Sequence, residues 1–156
     1  MGEDRSVRHE VRSIEASRVV EAPAAQVFSF LSDPVNHVAF DTSGMVRGST
    51  TGATIAGVDD VFVMNMHNAI KSNHQVENHI VVYEPDRAIG WAPAEPGHTP
   101  AGHTWTWRLA PAAPDRTVVS LTYDWSRFSH IEMLDHLPVI NCAQLLASLD
   151  RLAEAL

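Results

Sequence analysis

NCAQLLASLDRLAEAL, residues 141–156, decides how the rest of the chain is read. Leu145, Leu149, Leu152 and Leu156 fall at i, i+4, i+7 and i+11, and Leu146 and Ala153 widen the stripe into one apolar helical face. Asn141 stands where an N-cap belongs and Gln144 three residues later, the spacing of a capping box. A helix of about 15 residues is roughly 22 Å long, enough to cross a small sheet. Each leucine it buries stabilises by about 1.5–3 kcal/mol, so this helix closes whatever layer lies against it.

That layer is made of strands. Val61–Asn68 alternates, with Phe62, Met64 and Met66 on one face and Val61, Val63, Asn65 and His67 on the other. Residues 74–84, 88–91, 103–109 and 117–125 continue the pattern; Trp105, Trp107 and Leu109 share a face, as do Val119, Leu121, Tyr123 and Trp125. Turns are expected at 57–60, 85–87 and 110–116, and APAEPGHTPAG (92–102) reads as a loop on its prolines and glycines. Connections this short make an antiparallel meander. Residues 45–56 read as an interrupted strand, because Gly48 and Gly52 sit inside it.

Ahead of the meander, residues 14–21 read as a first strand. Pro23–Leu31 follows as a helix, with proline in the first turn and Val27, Phe30 and Leu31 on one face. Ser32-Asp33-Pro34 ends it, and residues 35–41 form a second short helical turn. Residues 126–140 are irregular apart from a helical turn expected at 131–136. Residues 1–13 are expected to be a flexible tail, leaving 14–156 as one domain.

With 156 residues the chain can bury a sizeable core. Its formal net charge of -8 repels phosphate backbones, and no basic cluster with interleaved aromatics occurs, which argues against nucleic acid as a partner. The N-terminus has no apolar segment of the secretory kind and no stretch approaches a membrane span, so cytoplasmic residence is expected. Cys142, the single cysteine, cannot form an internal disulfide and reads as a small core residue of the last helix.

The nine histidines invite a metal reading that their spacing does not support. His74 and His79 point to opposite faces of one strand, His98 and His103 flank a loop, and His130 and His136 fall on different faces of any helix. No HExxH, nucleophile elbow or glycine-rich phosphate loop is present, and neither a metal nor a cofactor is expected.

Together the order of elements and the words VVEAPAAQVFSFLSDP (19–34), VFVMNMH (61–67), NHIVVYEPDRAIGWAP (78–93), TVVSLTYDWS (117–126) and LPVINCAQLLASLDRLAEAL (137–156) resemble the START-like helix-grip superfamily (SRPBCC), in its polyketide cyclase/dehydrase and lipid-transport branch. The resemblance implies an α+β helix-grip fold. In that fold a curved antiparallel sheet of about six or seven strands wraps around the long C-terminal helix, with two short helices after strand one and an apolar cavity between the layers. It does not fix one activity.

The expected cavity wall is Phe62, Met64, Met66, Asn78, Trp91, Trp105, Trp107, Tyr123, Leu145 and Leu149, because flat rings and adaptable thioethers suit a rigid apolar ligand. Only one of the neighbours Asn78 and His79 can face inward unless a bulge intervenes. Asp41, His79 and Tyr123 are the candidates for acid–base chemistry. The leading expectation is a binder of a small hydrophobic molecule (a lipid, polyketide or aromatic metabolite) rather than an enzyme. A cyclase/dehydratase using a cavity acid–base pair is the first alternative, and a protein-interaction module using the outer sheet face is the second. A homodimer is left open.

Overall fold

The computed structural model describes residues 5–10, 12–50, 52–129, 137 and 140–156. Strands β1 (Arg5–Glu10) and β2 (Ser13–Val20) lead into helix α1 (Ala24–Leu31) and a 3-10 helix (Pro34–Phe40). Six further strands follow: β3 (Val46–Ser49), β4 (Val61–Asn68), β5 (Ser72–Glu84), β6 (Ala88–Ala94), β7 (Thr104–Ala113) and β8 (Arg116–Asp124). Helix α2 (Cys142–Ala155) comes last.

All eight strands join one antiparallel sheet in the order β1-β2-β8-β7-β6-β5-β4-β3. The α+β helix-grip expectation therefore holds, with eight strands in place of six or seven. The extra strand is β1, where a flexible tail is expected from sequence. Arg5–Glu10 pairs with β2 from Arg5↔Arg18 to Glu10↔Ser13. Asp150 of α2 helps to hold it, accepting from Arg5 Nη2 at 2.8 Å and from Arg18 Nη1 at 2.7 Å. Both pairs are partly exposed, so each contributes at most about 1 kcal/mol.

Two other boundaries move outward. β6 runs on through Pro93 to Ala94, where the chain reads as a loop, because β6 keeps its β5 partner there (Glu77↔Ala94). Its pairing with β7 stops at Trp91↔Trp105, so Pro93 has no β7 neighbour for its missing N–H to fail. β7 likewise continues to Ala113 across an irregularity at Pro111, which shrinks the expected 110–116 turn to Pro114 and Asp115. In β3, Gly48 sits at a register shift with φ +140, the interruption that its glycine signals.

The closing helix has the expected start. Asn141 Oδ1 accepts from Gln144 N at 2.8 Å, and Gln144 Oε1 accepts from Asn141 N at 2.9 Å. Leu145, Leu149 and Leu152 are fully buried against Ile14 and Ala16 of β2, Val119 and Leu121 of β8, and Leu31 of α1, in one core. Residue 42 ties α2 to the segment after the 3-10 helix: Thr42 Oγ1 donates to Gln144 O at 2.7 Å and lies 2.9 Å from Ser148 Oγ. The helical turn expected at 131–136 and the pair His130/His136 lie outside the described residues. Among the described residues, no helix is long and apolar enough to cross a membrane.

Candidate functional site

A cavity of about 290 Å³ lies between the inner face of the sheet, the 3-10 helix and α2. That volume is near the lower end for a small-molecule site. Inward alternation brings Met64 and Met66 from β4, Asn78 from β5, Trp91 from β6, Trp105 and Trp107 from β7 and Tyr123 from β8 to its wall. These seven are all expected wall residues. The other three are close behind it: Phe62, Leu145 and Leu149 are at most 1 % exposed and belong to the core, and Ser148 is the α2 residue at the cavity.

The wall is built from paired rings. Trp105 stacks on Tyr123 with centroids 4.1 Å apart and planes at 20°. His37 stacks on Trp91 at 4.8 Å and 18°, and Phe62 stands edge-on to both, at 5.1 and 5.4 Å. Phe40 meets Trp107 edge-on at 5.0 Å. Offset and edge contacts of this kind hold rings rigidly, so the wall is largely preformed.

Strand β5 settles which of two neighbours faces in. Asn78 is 6 % exposed and at the cavity; His79 is on the opposite face and away from it. A register shift between Ile80 and Val82 then breaks the alternation, which turns Tyr83 inward to meet Phe28 edge-on at 5.3 Å. His79 therefore cannot form an acid–base pair inside the cavity with Asp41 or Tyr123, both of which line it.

Asp41 is largely occupied by its own turn. Its carboxylate accepts from Ser43 Oγ at 2.6 Å, Gly44 N at 3.0 Å, Ser43 N at 3.1 Å and Val46 N at 3.4 Å. These bonds shape the entry into β3, as an aspartate commonly does in a turn.

His37 is a site residue that sequence reasoning misses. It lies in the 3-10 helix, 3 % exposed, with Nε2 2.8 Å from Leu31 O. A carbonyl only accepts, so Nε2 carries the proton and Nδ1 is the bare acceptor. Burial away from water lowers its pKa from 6.5 to about 4, outweighing the Leu31 hydrogen bond and the Asp33 charge, which both raise it. The imidazole is thus neutral at pH 7. The signal that could have found it is a period of three: Pro34, His37 and Phe40 are the buried residues of this 3-10 helix, whereas the sequence reading assigns residues 35–41 no buried face. Ser148 has a visible signal: a small polar residue inside a leucine stripe.

Polar groups at the wall lack a protein partner among the described residues. Trp107 is 1 % exposed and its Nε1 is buried and unpartnered. The Asn78 side-chain amide makes no hydrogen bond to the protein there either.

The fold recurs in solved structures of low sequence similarity. Protein Ms6760 from Mycobacterium smegmatis superposes with a TM-score of 0.68 at 10% identity, covering 96% of this chain and 95% of that one. Protein CV1439 from Chromobacterium violaceum gives 0.67 at 19% identity, over 94% and 97% of the two chains. The Zhui aromatase/cyclase from Streptomyces sp. R1128 gives 0.62 at 16% identity, over 92% of each chain. In sequence, the uncharacterised protein Rv0088 of Mycobacterium tuberculosis is 29% identical over 114 residues, 73% of this chain. The match covers 46% of that protein, so the chain spans about half the length of this curated relative. Residues 11–156 match the family described as polyketide cyclase / dehydrase and lipid transport, and the chain belongs to that family.

Proposed function

We propose that the protein binds a small, mainly apolar molecule in the cavity between sheet and closing helix. The observation that carries this reading is the ring-lined space itself, about 290 Å³ walled by Trp91, Trp105, Trp107, Tyr123 and His37. A chain that needed these rings only as core would pack them without a void, because empty apolar space forfeits contacts. Family membership supports the same class of ligand and does not choose between a lipid, a polyketide and an aromatic metabolite. Cytoplasmic residence fits a chain whose lone cysteine has no internal disulfide partner.

A catalytic reading has less support. Of its candidate partners for Tyr123, His79 lies on the far face of the sheet, and the Asp41 carboxylate, though at the cavity, is engaged by hydrogen bonds of its own turn. The outer-face interaction reading rests on few exposed valines: Val61 and Val81 on the adjacent strands β4 and β5, and Val7 on the edge strand β1 at the far side of the sheet.

The test is a thermal melt with and without small aromatic and acyl-chain compounds, together with native mass spectrometry of gently purified protein. A melting temperature raised by at least one aromatic class, or a co-purified small molecule, is expected. Unchanged melting across all classes and a bare polypeptide mass would refute the reading.

A further inference from the structure

We propose that Asn78, Trp107 and His37 form a polar clamp in the cavity that selects a flat, uncharged ligand carrying both a carbonyl-type oxygen and a hydroxyl, in preference to a hydrocarbon or a carboxylate of the same size. The inference rests on the ligand-binding reading above and narrows it.

The argument starts from what the apolar wall leaves unmet. An amide or indole N–H buried without a partner costs about 1–3 kcal/mol. Trp107, 1 % exposed, carries such a group at the cavity, and the side-chain amide of Asn78, a residue 6 % exposed, reaches the same space without a hydrogen bond to the described residues. Leucine or phenylalanine would line an indifferent apolar space more cheaply at either position. The unmet groups therefore point to polar atoms on the occupant.

These residues belong to one connected stretch of wall. Asn78 is paired in register between Phe62 and Pro93. Phe62 stands edge-on to His37 at 5.1 Å, and His37 lies 5.2 Å from Phe40, which meets Trp107 at 5.0 Å. The donors are Asn78 Nδ2 and Trp107 Nε1, suited to an acceptor oxygen. The acceptors are Asn78 Oδ1 and His37 Nδ1, the latter left bare because Nε2 is bonded to Leu31 O. A ligand with a carbonyl and a hydroxyl on a planar frame matches both kinds, and the frame itself lies against the rings.

Charge excludes the carboxylate. Among the described residues at the cavity, Lys71 carries the one permanent positive charge, and it is ion-paired to Glu95 at 2.6 Å. Asp41 and Glu95 at the same cavity add negative charge. A carboxylate drawn inside would be a buried anion without a cation, which is strongly unfavourable.

The experiment titrates the full-length protein at pH 7 with naphthalene, 6-acetyl-2-naphthol and 2-naphthoate, following tryptophan fluorescence and checking each variant by its melt. Wild type is expected to bind 6-acetyl-2-naphthol roughly ten-fold more tightly than naphthalene, about the worth of one good hydrogen bond in an apolar site, with 2-naphthoate weakest. Asn78→Leu and Trp107→Phe should each erase most of that preference while naphthalene affinity stays within about two-fold. Two variants are used so that a folding failure in one leaves the other to decide. Equal affinity for naphthalene and its acetyl-hydroxy analogue, tightest binding of 2-naphthoate, or an intact preference in the folded variants overturns the clamp while leaving a ligand cavity. Binding of none of the three overturns the clamp, and the ligand reading falls with it only if acyl-chain compounds also leave the melt unchanged.

Discussion

Lowering the pH isolates His37 through its effect on stability. Its pKa is about 4 in the folded protein and near 6.5 when the chain unfolds. Well above pH 6.5 both states hold the imidazole neutral and it has no effect. Between pH 6.5 and 4 the unfolded state takes up a proton that the folded state refuses, so stability falls as pH falls; below pH 4 the loss levels off. One pKa unit corresponds to about 1.4 kcal/mol, so the expected loss relative to pH 7 is about 1 kcal/mol at pH 5.5 and about 2.5 kcal/mol at pH 4.5. Other groups titrate in this range too, so the measurement is a difference. Urea unfolding of wild type and His37→Phe is followed at pH 7, 5.5 and 4.5. The variant starts lower at pH 7, because Leu31 O loses its donor at a cost of about 1–3 kcal/mol, and the gap closes as the pH falls. Its pH dependence should be flatter than that of wild type by the amounts above. Parallel curves for the two proteins would refute the placement of His37 as a buried neutral ring.

Two further substitutions test the frame. Leu149→Ala, at a fully buried position of α2, should cost about 2–5 kcal/mol in denaturant unfolding, and a wild-type midpoint would count against the packing of that helix on the sheet. Gly102→Ala places a Cβ 1.9 Å from Arg127 O at φ +114, so the segment beside Ala101 and His103 at the cavity must shift. About 1–3 kcal/mol should be lost from backbone strain alone, with unchanged stability as the contrary result.

Much of the fold is legible because its elements carry strong local signals. The α2 stripe has a helical period, a capping box and no competing pattern, and it forms as read. Strand β4 alternates cleanly and its inward set, Phe62, Met64 and Met66, follows from that period. Strand β1 is hidden for the opposite reason: RSVRHE has one apolar residue, Val7, which is exposed, so no face marks it as a strand. It exists through its ladder with β2 and through Asp150, which are both long-range facts. Pro93 misleads because proline usually breaks a strand, and only the register reveals that it lies beyond the end of the β7 pairing.

The site divides in the same way. Residues on regular strands are placed by alternation, and Trp91, Trp105, Trp107 and Tyr123 reach the cavity for that reason. Asn78 or His79 could not be chosen in advance, because the bulge after Ile80 scrambles the face set of β5. His37 is missed because residues 35–41 read only as a short helical turn; its burial shows in the period of three shared with Pro34 and Phe40, which becomes a face only once the segment is known to be a 3-10 helix.

The central claim, a ligand space bounded by the sheet and the closing helix, is tested most directly by the indole N–H signals in a 15N–1H NMR spectrum. The four tryptophans give four resolved reporters, three at the cavity (Trp91, Trp105 and Trp107) and one, Trp125, outside its lining. Titration with 6-acetyl-2-naphthol should move the three cavity signals, Trp107 most strongly through its unpartnered Nε1, and Trp125 least. Saturable shifts confined to Trp125, or no shift at any of the four, would contradict the account.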